Sequence, residues 1–88
     1  MDSYNLEFKP AVGKDLRSLP KFVIPRLMER IENLRLDPFP PQGIKLSVAD
    51  QLFRIRVADY RIVYEVDIKN KKVTIHYIRH RRQVYRKL

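Results

Sequence analysis

A chain of 88 residues with 44% hydrophobic and 33% charged side chains is expected to form one globular domain around a single modest core. Its formal charge of +9 points to a polyanionic partner, and the absence of cysteine excludes disulfides and thiolate metal sites. No apolar run approaches the roughly 18–20 residues of a membrane span, and Met1-Asp2-Ser3-Tyr4 lacks the basic start and apolar stretch of a signal peptide. A soluble cytoplasmic protein is therefore expected.

Tyr4, Leu6 and Phe8 alternate with Asn5 and Glu7, the period of a short first strand. Pro10 suits the first position of a helix, and Ala11, Val12, Leu16 and Leu19 recur at helical spacing until Pro20 stops them. Gly13 weakens this helix by about 1 kcal/mol relative to alanine. A second helix is expected from Lys21 or Pro25 to Leu36, with Ile24, Leu27, Met28, Ile31 and Leu34 as its apolar stripe. Asp37-Pro38-Phe39-Pro40-Pro41-Gln42-Gly43 breaks into an extended loop, Ile44-Lys45-Leu46 is a brief edge segment, and Ser47 to Gln51 a second loop.

From Phe53 to Val57 apolar and basic residues alternate with period two, and a second β-rich run starts at Tyr60. If Ala58 and Asp59 are the loop, Val57 faces Tyr60, Arg56 faces Arg61, Ile55 faces Ile62 and Phe53 faces Tyr64. A slip of one residue would scramble both faces, although Ala-Asp is not a strong tight-turn pair. The last strand is Val73 to Ile78, after a Lys69-Asn70-Lys71-Lys72 turn. With Asn70-Lys71 as its loop, Val66 faces Ile75, Tyr64 faces Tyr77, Glu65 faces His76, Val63 faces Ile78 and Arg61 faces His80. One sheet face then holds Phe53, Ile55, Val57, Ile62, Tyr64, Val66, Val73, Ile75 and Tyr77, ready to receive the helices. The other holds Arg54, Arg56, Arg61, Glu65, His76 and His80, with Val63 and Ile78 among them. Arg81 onward is a short helix or irregular tail near that polar face. The order β-α-α-β-β-β gives an α+β domain over 1–88, with two N-terminal helices on a small, mainly antiparallel sheet.

The positive charge is concentrated: residues 51–88 carry eleven Lys/Arg against three Asp/Glu, whereas residues 1–50 carry eight against seven. Arg56 opposite Arg61 is a like-charge cross-strand pair, destabilising by about 0.2–1 kcal/mol. Two readings fit it: an anion normally sits there, or the arginines splay into solvent.

These residues resemble the RelE/ParE superfamily of toxins from type II toxin–antitoxin pairs. The likeness is carried by the element order, the Leu19-Pro20 joint, Asp37-Pro38-Phe39-Pro40, the block Phe53 to Tyr64, and His80-Arg81-Arg82-Gln83-Val84-Tyr85. It spans almost the whole chain. For a RelE-like member the resemblance implies a ribosome-dependent, metal-independent mRNA endoribonuclease that inhibits translation and needs no cofactor. In it a ribose 2′-hydroxyl attacks the adjacent phosphate while basic side chains stabilise the charge that develops. Its implied partners are an acidic RelB-like antitoxin, in a hetero-oligomer, and the ribosomal A site with its mRNA. Two further readings stay open: a ParE-like, non-enzymatic inhibitor of DNA gyrase, and a catalytically degenerate member that only binds its antitoxin.

By the same resemblance the family's two basic residues on the central strand fall on Arg54 and Arg56, the next arginine on Arg61, the one after the last strand on Arg81, and the C-terminal tyrosine on Tyr85. Relatives can carry lysine at the first two positions; arginine stays charged, so Arg54 and Arg56 suit phosphate clamping and transition-state stabilisation rather than base chemistry. Arg61 and Arg81 suit the scissile phosphate, with a salt bridge to Glu65 or Asp59 as the structural alternative. Tyr85 suits base stacking or proton transfer, or an apolar cover over the sheet edge. His80 is the candidate acid or base, or a structural hydrogen-bonder. His76 opposite Glu65 reads as a structural pair. Arg79 stands where many relatives have glycine.

Overall fold

The computed structural model describes residues 3–41 and 43–82. The chain enters through β1 (Asn5–Phe8) and turns into α1 (Pro10–Ser18), where Pro10 lies in the first turn and its missing N–H has no intrahelical partner to lose. Leu19, the residue before Pro20, adopts the extended conformation that proline imposes and closes the helix. In α2 (Ile24–Asn33) Pro25 again occupies the first turn, while Leu27 and Ile31, one turn apart, are fully buried. Among the described residues no helix is long and apolar enough to cross a membrane.

The remaining strands are β2 (Ile44–Ser47), β3 (Leu52–Val57), β4 (Tyr60–Asp67) and β5 (Lys72–His80). They form one five-stranded sheet in the order β1-β5-β4-β3-β2, with β1 parallel to β5 and every other pairing antiparallel. The segment at Ile44 is thus a genuine edge strand. Val12 of α1 and Leu27, Ile31 and Leu34 in and after α2 pack on Ile55, Ile62, Tyr64, Val66, Val73, Ile75 and Ile78.

The β3–β4 hairpin has the expected register: Val57 pairs with Tyr60, Arg56 with Arg61, Ile55 with Ile62 and Phe53 with Tyr64. Its turn is strained, because Ala58 takes φ 54, a left-handed conformation that costs an L side chain about 1–2 kcal/mol. Arg56 Nε donates to the Ala58 carbonyl at 3.1 Å and steadies it. Ala58→Gly should raise stability by about 0.5–1 kcal/mol, the relieved strain less the extra chain entropy of glycine. Urea titration at constant m-value is the check.

The β4–β5 register differs from expectation. Asp67 pairs with Lys72, Val66 with Val73 and Tyr64 with Ile75, after which the register shifts so that Val63 pairs with Tyr77. The loop therefore runs from Ile68 to Lys71 rather than being the two residues Asn70-Lys71. The cause is local: the Asp67 carboxylate accepts the Asn70 side-chain amide at 2.8 Å and the Asn70 N–H at 3.0 Å, and Lys71 takes φ 55. Those bonds, the side-chain one foremost, hold the Asp67 carboxyl below the usual carboxylate range.

The register shift leaves His76 as the extra residue of a bulge, which turns the following side chains over. Ile78, expected on the polar face, is in the core, and Tyr77, expected in the core, is only half-buried on the other side. His80 accordingly pairs with Tyr60 rather than Arg61, and Arg79 takes the place opposite Arg61.

The Asp37-Pro38-Phe39-Pro40 loop closes the end of the core. Asp37 Oδ1 accepts the Phe39 N–H at 3.1 Å, Phe39 sets its ring edge on Phe53, and Phe53 stacks on Tyr64. Tyr64 Oη donates to the Pro38 carbonyl at 2.9 Å.

Candidate functional site

The sheet face turned away from the helices carries a row of guanidinium groups. Arg56 of β3, Arg61 of β4 and Arg79 of β5 are direct cross-strand neighbours, and Arg54 lies two residues along from Arg56, opposite Val63. Directly opposed residues stand about 4.5–5.5 Å apart at Cα, so two successive like-charge pairs cross the sheet at one level. Among the described residues no carboxylate lies within ion-pair distance of Arg54, Arg56 or Arg61.

Arg61 is the most constrained of them. It is 6% exposed, its Nε is buried without a hydrogen-bond partner, and Nη1 reaches the Tyr60 carbonyl at only 3.4 Å. The salt bridges considered for it, to Glu65 or Asp59, are not formed. Glu65 is instead engaged with His76, Oε1 to Nε2 at 2.9 Å. That pair meets as expected although the four-residue loop from Ile68 to Lys71 shifts the strand partner of Glu65 to Thr74.

Arg81 follows β5 directly. Its N–H donates to the Asp59 carbonyl at 2.8 Å, tying the start of the tail to the turn between Arg56 and Arg61. The side chain is exposed at that end of the sheet. His80 stands outside the row: its ring meets Tyr60 edge-on at 5.5 Å, and Nδ1 accepts the Arg82 N–H at 3.3 Å. With Nδ1 accepting, the neutral ring carries its proton on Nε2. Tyr85 lies outside the described residues.

The sequence reading missed Arg79. Its guanidinium lies over the Tyr77 ring, 4.6 Å from the centroid, and Nε stands 4.0 Å from Asp15 Oδ1 of α1. The other oxygen of Asp15 accepts the Ile78 N–H at 2.9 Å. A signal was present: Ile75 and Ile78, three residues apart in a strand, share the core only if a bulge separates them. At its other end the same stretch of sheet becomes acidic, where Asp50, Glu65, Asp67 and His76 line a depression of about 650 Å³.

Residues 6–85 match the family model described as the ParE toxin of the type II toxin–antitoxin system parDE. A Methanocaldococcus jannaschii protein bearing the name toxin RelE1 is 29% identical over 86 residues, covering 94% of this chain and 96% of that protein. Among solved structures, the archaeal RelE–RelB complex from Pyrococcus horikoshii superposes with a TM-score of 0.81 at 33% identity, over 90% of this chain and 96% of that one. The isolated Escherichia coli RelE toxin shares the fold, with a TM-score of 0.76 at 22% identity, over 98% of this chain and all of that one. With the expected two helices on a mainly antiparallel sheet present and the match spanning nearly its full length, this chain belongs to the RelE/ParE family of type II toxin–antitoxin toxins.

Proposed function

We propose that the chain is an mRNA endoribonuclease acting in the ribosomal A site, and that the arginine row holds the scissile phosphate. The observation that carries this reading is Arg61: a buried guanidinium, flanked by two others at the same level, with no carboxylate among the described residues within ion-pair distance of it. Such an arrangement is unfavourable for the empty protein and favourable once an oxyanion enters. The ribose 2′-hydroxyl attacks the neighbouring phosphorus, the P–O5′ bond breaks, and a cyclic phosphate and a 5′-hydroxyl result. Charge grows on the non-bridging oxygens, where Arg61 and Arg81 donate as planar forks and Arg54 and Arg56 hold the flanking backbone. None of the four exchanges a proton at physiological pH. His80, whose Nδ1 accepts the Arg82 N–H, is assigned to positioning the turn that carries Arg81 rather than to abstracting a proton. Tyr85 is left as the aromatic group for stacking or proton transfer.

Two solved relatives of this chain, from Pyrococcus horikoshii and Mycobacterium tuberculosis, are complexes of a toxin with its antitoxin. We infer the same arrangement here: an acidic RelB-like segment covers the arginine face and silences it by charge complementarity.

The test is in vitro translation with purified chain and a primer-extension readout of message cut in the A site. Wild type should cleave, and Arg81→Ala should lower the rate by on the order of 10²-fold, the scale for losing one transition-state donor. Intact message together with inhibited gyrase supercoiling would move the chain to the ParE-like reading. Intact message with no effect on gyrase or on growth would leave an antitoxin-binding member only.

A further inference from the structure

Resting on the ribonuclease reading, we propose that Arg79 is a phosphate-binding residue of this chain, lengthening the arginine row by one strand so that it grips the RNA backbone beside the cleaved linkage.

Three observations carry this. The register puts Arg79 directly opposite Arg61, which in turn opposes Arg56, so three guanidinium-bearing positions on three adjacent strands lie at one level. The side chain is 25% exposed, and no hydrogen bond within the described residues uses its donors. It is also held: the Tyr77 ring lies beneath the guanidinium and Asp15 stands 4.0 Å away, at the outer limit of an ion pair. A charged group fixed by a ring face and a distant carboxylate keeps its in-plane donors for a ligand, and little rotamer entropy remains to be lost on binding.

The bulge at His76 makes this possible. Without it the register set at the turn would carry on, Ile78 would meet Arg61 and residue 79 would fall on the other face. The backbone at Arg79 is ordinary strand with no positive φ, so glycine is not demanded there. Asp15 serves the bulge as well, since it accepts the Ile78 N–H just beyond it.

The experiment measures binding of the full chain to ribosomes programmed with a message whose A-site codon is 2′-O-methylated and therefore uncleavable, over a series of salt concentrations. Arg79→Gln should weaken binding by about 10-fold, the loss of one charge-assisted contact. It should also lower the slope of log affinity against log salt by about 0.7–0.9, one phosphate's share. Arg79→Lys should keep the slope. A purely structural tether gives a different pattern: Asp15→Asn, which keeps an acceptor for the Ile78 N–H but drops the charge, and Arg79→Gln would lower the melting temperature alike and leave the slope untouched. That result overturns the assignment. If Arg56→Gln lowers affinity and slope while Arg79→Gln does not, Arg79 is excluded and the ribonuclease reading stands. If neither does, both fall.

Discussion

Arg61→Met should abolish most message cleavage and at the same time make the protein more stable. The rate is expected to fall by on the order of 10²–10³-fold, the range for removing one preorganised donor from a developing oxyanion. The opposite effect on stability follows from its surroundings. Arg61 is buried, faces Arg56 on one side and Arg79 on the other, and leaves Nε without a partner. A buried unsatisfied donor costs about 1–3 kcal/mol and each opposed like charge about 0.2–1 kcal/mol. Methionine fills similar volume without either term, so a gain of about 1–2 kcal/mol is expected, a rise of roughly 4–16 °C in melting temperature for a domain this small. Calorimetry beside the cleavage assay reads both at once. A lower melting temperature would show Arg61 to be a structural element, and an unchanged rate would remove the phosphate from the row. Activity and stability drawing on one residue with opposite signs is what a strained site predicts.

The hairpin that carries this residue could be read from sequence because its information is local and redundant. Phe53, Ile55 and Val57 alternate with Arg54 and Arg56, and only one pairing with Ile62 and Tyr64 keeps both faces consistent. Helix positions were equally plain, since Pro10, Pro20 and Pro25 punctuate the apolar stripes. The β4–β5 register was not legible in the same way. A two-residue loop at Asn70-Lys71 and the observed loop from Ile68 to Lys71 both place apolar residues of β4 opposite apolar residues of β5 near the turn, so alternation cannot choose between them. The choice is made by the Asp67–Asn70 hydrogen bonds and the left-handed backbone of Lys71. The bulge then cancels part of the displacement, and the net result exchanges His80 for Arg79 at the site. The sequence reading thus placed Arg56 and Arg61 opposite each other as the structure has them, and set His80 rather than Arg79 opposite Arg61.

On the other side of β4 a single hydroxyl gives the second large effect. Tyr64 is 0% exposed, and its hydroxyl donates to the Pro38 carbonyl in the loop that closes the core. Burial, and secondarily the charge of Asp37, push its pKa up from 10.0 to about 12. The unfolded chain therefore releases this proton near pH 10 while the folded one keeps it, and stability that is complete below pH 10 is lost as the pH rises toward 12. The slope is about 1.4 kcal/mol per pH unit, or roughly 2–3 kcal/mol across the window. Tyr64→Phe removes that dependence and leaves the Pro38 carbonyl without its donor, at a cost of about 1–2 kcal/mol near neutrality. The variant should consequently be the less stable protein at pH 8 and the more stable one at pH 12, with the two urea midpoints crossing near pH 11. All other ionisable groups are common to both proteins and cancel in the difference. Because the hydroxyl lies on the helix side of the sheet and the arginines on the other, cleavage by the folded variant at neutral pH should match wild type. Midpoints that stay parallel from pH 8 to 12 would mean that the phenol ionises as readily in the folded chain as in the unfolded one, and that the loop does not seal this end of the core.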